Sequence, residues 1–395
     1  MAINKEQNKL NVPHLRFPEF HGEWEKCKLG DIATLTKGSG ISKDQRSATG
    51  TPCILYGELY TTYKSEVINY VVSKTDISDK NLVRSCANDI IIPSSGETAI
   101  DISTARCVLS PDVLLGGDLN IIRLKDGDGR FFSYQLNGVR KHDIAKIAQG
   151  VSVVHLYGES IKGLTVSFPS NKEQQKISTL LSLIDERIAT QSKLIEDLKK
   201  LKSAIIEKLY SEIQGKEYSY RQLFEIINER NNRLEFSNVL SASQERGMVS
   251  REDLNLDIKF ERSNINTYKI VRNGDYVIHL RSFQGGFAFS DIVGVCSPAY
   301  TIMRPKDLLE YGYLSYYFTS RQFIKSLVIV TYGIRDGRSI NVDEWFDMKI
   351  VIPTKEQQRH IVRTIKVFEN KIENEEIYAS CLLKQKQHLL RQMFI

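Results

Sequence analysis

Four short polar motifs contain residue types that could carry chemistry. Gly38-Ser39-Gly40 is glycine-rich, but it lacks the other positions of a loop that cradles nucleotide phosphates. Asp257-Ile258-Lys259 and Asp197-Leu198-Lys199 have an acidic-x-Lys spacing found in nuclease sites, although such tripeptides are common by chance. Asp126-Gly127-Asp128-Gly129 lacks the further ligands of a calcium loop, which favours a hairpin turn. None of these motifs forms a catalytic constellation.

Other motifs that would indicate an enzyme are missing from the sequence. It contains no GxxxxGK[ST] loop and no Pro-Pro pair of the kind found in amino-methyltransferase loops. The seven histidines form no HxH or HxxxH pair. The six cysteines form no CxxC pair, which indicates reduced thiols rather than a zinc site or a disulfide framework; they are Cys27, Cys53, Cys86, Cys107, Cys296 and Cys381.

The length of 395 residues predicts two or three domains. The composition, 41% hydrophobic and 26% charged, is typical of a soluble globular protein. No apolar run is long enough to span a membrane and no signal peptide begins the chain, so a cytoplasmic location is expected. The net charge of +6 is spread evenly, with 20 basic and 19 acidic residues in 1–170 and 18 and 17 in 214–353. Contacts with nucleic acid must therefore come from local clusters or be shared with a more basic partner.

One junction occurs twice in the sequence. The segment SFPSNKEQQKI spans Ser167 to Ile177, and VIPTKEQQRHI spans Val351 to Ile361, 184 residues later. Each begins as a strand that closes on a proline and continues as a long helix. In the second copy, EQQ lies one residue nearer the proline, and His360 restores the offset. An ancestral duplication explains this repeat.

Both helices carry the same heptad seam, which predicts a coiled coil. The first seam consists of Ile177, Leu181, Ile184, Ile188, Gln191, Ile195, Leu198, Lys202, Ile205 and Leu209. Adding 184 to each number gives the second, which consists of Ile361, Ile365, Phe368, Ile372, Glu375, Ala379, Leu382, Lys386, Leu389 and Met393. We expect the two helices to pack antiparallel, with a globular part at each end. The alternative is that each stripe packs on its own globular part.

The two globular parts align loosely with each other. Leu29–Ile32 resembles Leu223–Ile226, and Asn88–Ile91 resembles Gly274–Val277. Ser133-Tyr134 resembles Ser315-Tyr316, within an amphipathic helix pattern. Short strands with few helices indicate an α+β fold class, with two similar globular domains and an antiparallel two-helix coiled coil related by pseudo-two-fold symmetry. The predicted boundaries are an arm at 1–20, globular domains at 21–170 and 214–353, and stalk helices at 171–213 and 354–395.

These features together resemble the specificity (S) subunits of type I restriction–modification enzymes. The opening LRFPEFHGEWEKCKLGDIATLTKGSGIS, Leu15 to Ser42, is similar to the family's usual start. Tyr56-Gly57-Glu58-Leu59 is similar to its YGDL-type strand. The two junctions, with Glu173-Gln174-Gln175 and Glu356-Gln357-Gln358, are similar to its repeated conserved regions. The two-domain, two-helix plan covers essentially the whole chain.

The resemblance implies a DNA sequence-recognition subunit without a catalytic site. Each globular domain would be a target recognition domain that reads one half of a split, asymmetric site in double-stranded DNA. The helices would dock two modification (methyltransferase) subunits, which bind S-adenosylmethionine and methylate adenine. Restriction subunits, which use ATP and Mg, would complete the complex. This chain would itself bind no cofactor or metal and no membrane.

Polar, glycine-containing loops supply the candidate DNA contacts that follow from this resemblance, because Arg, Lys, Asn, Gln and Ser reach base edges and phosphates. In the first domain they are Lys37, Ser39, Lys43, Arg46, Ser94, Ser95, Gln149 and Ser152. In the second domain they are Asn231, Arg233, Arg281, Ser282, Gln284, Tyr332, Arg335 and Arg338.

Two other functions remain open at this point. A coiled-coil interaction adaptor without direct DNA readout is consistent with the even charge of both globular parts. A stand-alone DNA enzyme is disfavoured because its motifs are missing.

Overall fold

The computed structural model describes residues 11–78, 81–243, 246–254, 262–279, 286–332 and 339–395. The chain divides into two compact units. The first unit consists of residues 1–192 together with 377–395, and the second consists of residues 193–376. Each long helix therefore contributes one part to each unit.

The first unit is built around a five-stranded sheet with the order β2-β10-β6-β8-β4. The central strand, β6, is buried along its whole length, which suits its apolar Ile-Ile-Ile sequence. Three smaller sheets, β1-β12, β11-β7 and β5-β3-β9, surround it. The strands are β1 Glu25–Lys28, β2 Ala33–Lys37, β3 Thr51–Ile54, β4 Val67–Ile68, β5 Lys74–Thr75, β6 Asp89–Pro93, β7 Ser95–Gly96, β8 Arg106–Val108, β9 Leu114–Leu115, β10 Leu119–Leu124, β11 Val154–His155 and β12 Thr165–Phe168.

Besides its parts of the two long helices, the first unit contains several short helices. One of the long helices, α7, Asn171–Ser211, continues into the second unit. α4 buries Phe131, Phe132 and Tyr134 in the core, and the Asp128 carboxylate caps it by accepting a hydrogen bond from the Arg130 N–H at 2.9 Å. The short helices are α1 Leu29–Ile32, α2 Glu58–Thr61, α3 Ala99–Ile102, α4 Gly129–Asn137, α5 Lys141–Ile147 and α6 Gly158–Lys162, with a 3₁₀ turn at Lys43–Gln45.

The second unit has a four-stranded sheet with the order β14-β21-β18-β19. Its core is strongly aromatic, and Tyr220 stacks on Trp345 with ring centroids 4.1 Å apart. The strands are β13 Lys216–Ser219, β14 Phe224–Ile227, β15 Leu240–Ser243, β16 Gly247–Ser250, β17 Lys269–Val271, β18 Tyr276–Ile278, β19 Phe287–Phe289, β20 Gly294–Cys296, β21 Thr301–Pro305, β22 Thr331–Tyr332, β23 Ser339–Ile340 and β24 Lys349–Ile352.

The described part of the second unit contains four short helices, and the long helix α12 passes from it into the first unit. The Asn341 side chain caps α11 by accepting a hydrogen bond from the Glu344 N–H. The helices are α8 Tyr220–Leu223, α9 Tyr313–Tyr317, α10 Arg321–Ser326, α11 Val342–Asp347 and α12 Lys355–Gln392, with 3₁₀ turns at Arg251–Leu254, Arg262–Thr267 and Leu327–Val330.

The two units repeat the same strand pairing. β1 pairs antiparallel with β12, with Glu25 opposite Phe168, and β13 pairs with β24, with Lys216 opposite Ile352. The order β2-β10-β6 in the first unit recurs as β14-β21-β18 in the second. The strands outside these repeated pairings differ between the two units. The central strands are therefore duplicated, and the strands around them are not.

A repeated ion pair fixes the same turn in both units. Asn88 and Gly274 have φ angles of 78° and 94°, and each precedes an aspartate at the start of a central strand. The Asp89 carboxylate accepts hydrogen bonds from Arg123 at 2.9 and 2.7 Å. The Asp275 carboxylate accepts them from Arg304 at 2.9 and 3.0 Å. The predicted match of Asn88–Ile91 with Gly274–Val277 is confirmed.

Two details of the sequence alignment are wrong. Leu29–Ile32 forms α1, and the matching turn in the second unit is α8, Tyr220–Leu223, rather than Leu223–Ile226. A helical turn and the strand after it are both partly apolar, so the pattern fits at either position. The expected strand at Tyr56-Gly57-Glu58-Leu59 is instead a turn that leads into α2, because the buried Glu58 carboxylate accepts a hydrogen bond from the Leu55 N–H at 2.8 Å.

The long helices pack antiparallel within each unit. In the first unit, Ile177 and Leu181 share a core cluster with Met393 and Phe394, and Asp185 contacts Lys386. In the second unit, Lys199 contacts Glu376 and Lys202 contacts Glu369, so rising numbers on α7 again meet falling numbers on α12. All twenty predicted seam positions are buried or half-buried. The α+β fold class with two similar domains and a coiled coil is confirmed.

The residues that follow α12 complete the core of the first unit. Phe394 is 2% exposed, and its ring lies 5.0 Å from the ring of Phe131 and 6.4 Å from that of Trp24. The N-terminal arm covers the same region, because the Leu15 N–H donates to the Gln392 carbonyl at 2.9 Å.

Candidate nucleic-acid interface

One end of the central sheet gathers the candidate residues of the first unit. β2 ends at Lys37, which lies opposite Asn120 at the start of β10. β6 ends at Pro93, opposite Leu119. Because neighbouring antiparallel strands meet end to start, the loop after β2 and the loop after β6 leave the sheet at the same edge.

The loop after β2 depends on a close backbone approach. A Cβ on Gly38 would lie 2.0 Å from the Gly116 carbonyl oxygen, so only glycine fits there. The next residue, Ser39, donates its N–H to the Leu115 carbonyl at 2.9 Å, and its hydroxyl accepts the Val83 N–H at 2.8 Å. Ser39 thus holds the loop in shape, while Lys37 beside it is exposed.

Lys43 begins the following 3₁₀ turn and Arg46 comes directly after it, and both are exposed. The Thr75 hydroxyl donates to the Gln45 carbonyl at 2.7 Å and so attaches this turn to β5. The Arg46 guanidinium lies 3.7 Å from a carboxylate oxygen of Glu58, which is 5% exposed. Arg46 therefore has a partner within the unit but keeps most of its fork at the surface.

The loop after β6 and the loop around Gln149 meet at His155. This histidine is not among the candidates that the sequence suggests. His155 lies opposite Ser95 in the β11–β7 pair. Gln149 and His155 exchange two backbone hydrogen bonds of 2.9 and 2.7 Å. Ser152 is exposed at the tip of the resulting hairpin. Two segments about sixty residues apart thus form one small ladder, a pairing that no local sequence pattern indicates.

Ser94 has a structural place in this ladder. Its side chain is 6% exposed, and its N–H donates to the Asp118 carbonyl at 2.7 Å. Its own carbonyl accepts the Leu156 N–H at 3.0 Å. Of the eight candidates in the first unit, the exposed ones are Lys37, Lys43, Arg46, Gln149 and Ser152, with Ser39 and Ser95 half-buried.

Asn231 in the second unit is 1% exposed and organises its own loop. Its amide donates to the Phe236 carbonyl at 2.7 Å and accepts the Phe236 N–H at 3.2 Å. Both ends of the amide are thereby used within the loop. Arg233, two residues later, is exposed and lies 3.8 Å from Glu235, so it is the more accessible candidate of this loop.

The other candidates of the second unit belong to two segments, each of which connects two neighbouring strands. Arg281, Ser282 and Gln284 lie between β18 and β19, and Arg335 and Arg338 lie between β22 and β23. All five are outside the described residues. Tyr332 is the last residue of β22 and lies opposite Ser339. Six residues lie between Tyr332 and Ser339. In the first unit, five residues lie between the paired Gln149 and His155.

A glutamine joins each globular part to its long helix. The Gln174 side chain accepts the Asp128 N–H at 3.0 Å and donates to the Pro169 carbonyl at 2.8 Å. The Gln358 side chain accepts the Glu310 N–H at 2.8 Å and donates to the Pro353 carbonyl at 3.0 Å. The equivalent residues are thus the first glutamine of one EQQ and the second glutamine of the other.

The neighbouring residue of the junction differs between the units. Glu173 is buried, and the Arg16 side chain donates two hydrogen bonds of 2.8 Å to its carboxylate. Position 357, its equivalent, is a glutamine. Glu173 therefore attaches the N-terminal arm, which has no described counterpart in the second unit.

A tyrosine, a carboxylate and a lysine form a repeated cluster on the helices. In the first unit the Tyr134 hydroxyl donates to Asp185 at 2.8 Å, and the Lys386 ammonium lies 2.5 Å from Asp185 and also contacts Glu66. Lys386 is 9% exposed. Burial first, and then the Asp185 charge, raises the pKa of Tyr134, so the hydroxyl remains a donor.

The second unit has the same cluster at positions exactly 184 residues away for the helix residues. The Tyr316 hydroxyl donates to Glu369 at 2.8 Å, and Lys202 lies 3.4 Å from that carboxylate. Burial, followed by the Glu369 charge, raises the pKa of Tyr316. The polar seam positions Lys202 and Lys386 are thereby explained as partners of these carboxylates.

Two further properties concern the described residues as a set. They include no group of three or more His, Cys, Asp or Glu side chains arranged to hold a metal ion. None of the helices in the described part of the chain is long and apolar enough to cross a membrane.

Comparison with known proteins supports the family predicted from the sequence. Residues 21–200 match the family described as type I restriction modification DNA specificity domain. The type I restriction enzyme MjaVIII specificity subunit of Methanocaldococcus jannaschii is 22% identical over 407 residues, covering 94% of this chain and 92% of that protein. The chain is thus similar to a type I specificity subunit over 94% of its length. The resemblance predicted from its sequence is confirmed.

Solved structures from type I restriction–modification systems have the same fold. The crystal structure of the type I restriction–modification S subunit from M. genitalium has a TM-score of 0.57 at 16% identity, covering 97% of this chain and 99% of that one. A chain from a study of complex assembly and conformational transition in the type I R-M system has a TM-score of 0.59 at 14% identity, covering 94% and 97%.

Proposed function

We propose that this chain is the DNA sequence-recognition subunit of a type I restriction–modification complex. It reads an asymmetric bipartite target, with one half-site for each unit. The observation that carries this proposal is the repeated scaffold β2-β10-β6 and β14-β21-β18, to which different loops are attached. Similar scaffolds with different loops suit two different half-sites, because base readout depends on the side chains that the loops present.

The long helices are the proposed docking site for two methyltransferase subunits, and restriction subunits join the same complex. Exposed apolar side chains on the helices support this, because they recur at the 184-residue offset. In the first unit Leu183 is 54% exposed and Tyr378 is 44% exposed. Their equivalents in the second unit, Val367 and Leu194, are 66% and 41% exposed. Each unit thus offers a similar apolar surface to one partner copy.

A groove in the first unit adds to this argument. Leu180, Leu183 and Ile184 line one side of it, and Tyr378 and Leu382 line the other. A helix with apolar side chains would cover these residues. In this proposal the catalytic chemistry belongs to the partners, which bind S-adenosylmethionine, or ATP and Mg, and the complex acts in the cytoplasm.

The first test is to map methylated adenines in the genome of a host that expresses the complex. The expected result is a single motif made of two different half-sites with a fixed gap, centred about one helical turn apart, ~10 base pairs. Deleting this chain alone should abolish all of these methylation marks. A continuous motif, or marks that persist without the chain, would contradict the proposal.

DNA binding distinguishes the proposed function from that of a coiled-coil interaction adaptor. A gel-shift assay with the methyltransferase partner present should show a complex that prefers the mapped motif over a scrambled one. An adaptor would give assembly without that preference. A methylation assay on the isolated chain should show no activity, since the proposal assigns the chemistry to the partner.

A further inference from the structure

A rigid hairpin leaves the first unit beside the exposed candidate residues. Gln149 and His155 close it with their two backbone hydrogen bonds, and His155 continues the ladder to Ser95. Gly150 has a φ of 124°, and a Cβ on it would lie 2.1 Å from the Val153 carbonyl oxygen. The turn therefore requires glycine, and the two backbone hydrogen bonds between Gln149 and His155 hold the hairpin closed.

The tip of this hairpin is apolar, although it points into solvent. Val151 is 97% exposed and Val153 is 53% exposed, whereas Val154 is 6% exposed and packs into the core. A single exposed valine is ordinary on a protein surface. Here two exposed valines lie on one closed turn, with the exposed Ser152 between them and the exposed Gln149 nearby, so the tip combines an apolar surface with polar neighbours.

DNA offers one apolar group in its major groove, the C5-methyl group of thymine. Apolar side chains read thymine by contact with that methyl group, while neighbouring amides and hydroxyls bond to base edges. In the proposed function the modified base is adenine, so a half-site contains at least one A·T pair. The chemistry of the tip thus matches a group that the target must contain.

We propose that Val151 and Val153 contact thymine methyl groups in the half-site that the first unit reads. This inference rests on the proposed function, and it names the feature of the DNA that the hairpin recognises. Gln149 and Ser152 would set the position of the tip through hydrogen bonds to the DNA.

The test uses the assembled methyltransferase complex and duplexes that carry the mapped motif. Each thymine of the two half-sites is replaced in turn by deoxyuridine, which removes only the methyl group. For the wild-type complex we expect at least one replacement to weaken binding about fourfold, the effect of exposing one apolar carbon. Val151→Ala should weaken binding to the unmodified duplex by a similar factor and should remove the sensitivity to that replacement.

Two further variants control this experiment. Val72→Ala changes a valine of similar type, 58% exposed and outside the hairpin, and should bind every duplex as the wild type does. Gly150→Ala keeps both valines but disturbs the turn, and it should also lose the sensitivity to deoxyuridine.

Three results would overturn the inference. The wild-type complex could bind every deoxyuridine duplex equally well, or Val151→Ala could retain the sensitivity. Alternatively, Val151→Ala could prevent assembly with the methyltransferase subunits, which would assign the tip to a protein contact. A wild-type complex that selects no DNA motif would instead contradict the proposed function itself, and the inference with it.

Discussion

Gln174 and Gln358 show how a single side chain can hold a globular part on a helix. Each amide bonds to the carbonyl of the proline that ends the last strand and to an N–H in front of a short helix. One residue therefore fixes the direction of the chain at the junction. A shorter side chain would leave a buried donor and a buried acceptor without partners, and each such loss costs about 1–3 kcal/mol.

Gln174→Ala should therefore destabilise the junction of the first unit by about 2–6 kcal/mol, the sum of two such losses. Hydrogen exchange at the Asp128 amide, measured in the full chain, should become faster because that N–H loses its acceptor. Gln175→Ala is the matched control, since the neighbouring glutamine is exposed and should change neither stability nor exchange. Equal effects of both substitutions would show that Gln174 does not hold the junction.

For individual residues, the sequence indicates which side chains have suitable chemistry, but it does not indicate which of them are accessible. The exposed Lys37, Lys43 and Arg46 were identified by their chemistry. Asn231 was chosen by the same rule, yet its amide is used within its own loop. His155 was missed because its place depends on pairing with Ser95, which lies far away in the sequence. Burial and non-local pairing decide such roles, and neither is visible in a short motif.

The helices are the elements that the sequence specifies most clearly. A seam with a period of 3.5 residues is a local pattern, so it could be read directly, and all of its positions are buried or half-buried. The polar seam residues were recognised as exceptions, but not as partners of Asp185 and Glu369. The two clusters also differ, since the Lys386 side chain is 11% exposed, while the Lys202 side chain is 28% exposed.

This difference predicts unequal effects of two equivalent substitutions. Lys386→Ala should destabilise the first unit by about 3–5 kcal/mol, because it leaves the Glu66 and Asp185 carboxylates buried without their cation. Lys202→Ala should cost the second unit less than about 1 kcal/mol, since water can solvate Glu369.

Tryptophan fluorescence separates the two measurements. The chain has two tryptophans, Trp24 in the first unit and Trp345 in the second, so a Trp→Phe change at either leaves one reporter. Urea unfolding should show a large shift for Lys386→Ala with Trp24 as reporter. For Lys202→Ala it should show a small shift with Trp345 as reporter. Similar shifts for both would mean that burial does not govern the strength of these clusters.

At the scale of the whole molecule, the even distribution of charge limits what the chain can do alone. A net charge of +6 in 395 residues, without a basic block, provides few counterion-releasing contacts. The proposed partners must then supply much of the electrostatic attraction to DNA, while this chain supplies the selection of sequence.

The salt dependence of DNA binding tests this division. For the complex with methyltransferase subunits, log Kd should change more steeply with log salt concentration than for the chain alone, as measured by fluorescence anisotropy on the mapped motif. The chain alone should bind weakly at physiological salt. Equal slopes would indicate that this chain makes the phosphate contacts itself.

The packing of Phe394 against Trp24 and Phe131 also affects how the molecule is made. Residues 377–395 belong to the first unit, but the ribosome synthesises them only after the whole of the second unit. Domains usually fold in the order of their synthesis. Here the first unit cannot complete its core until the second has emerged, so the domain that is begun first is the one that is finished last.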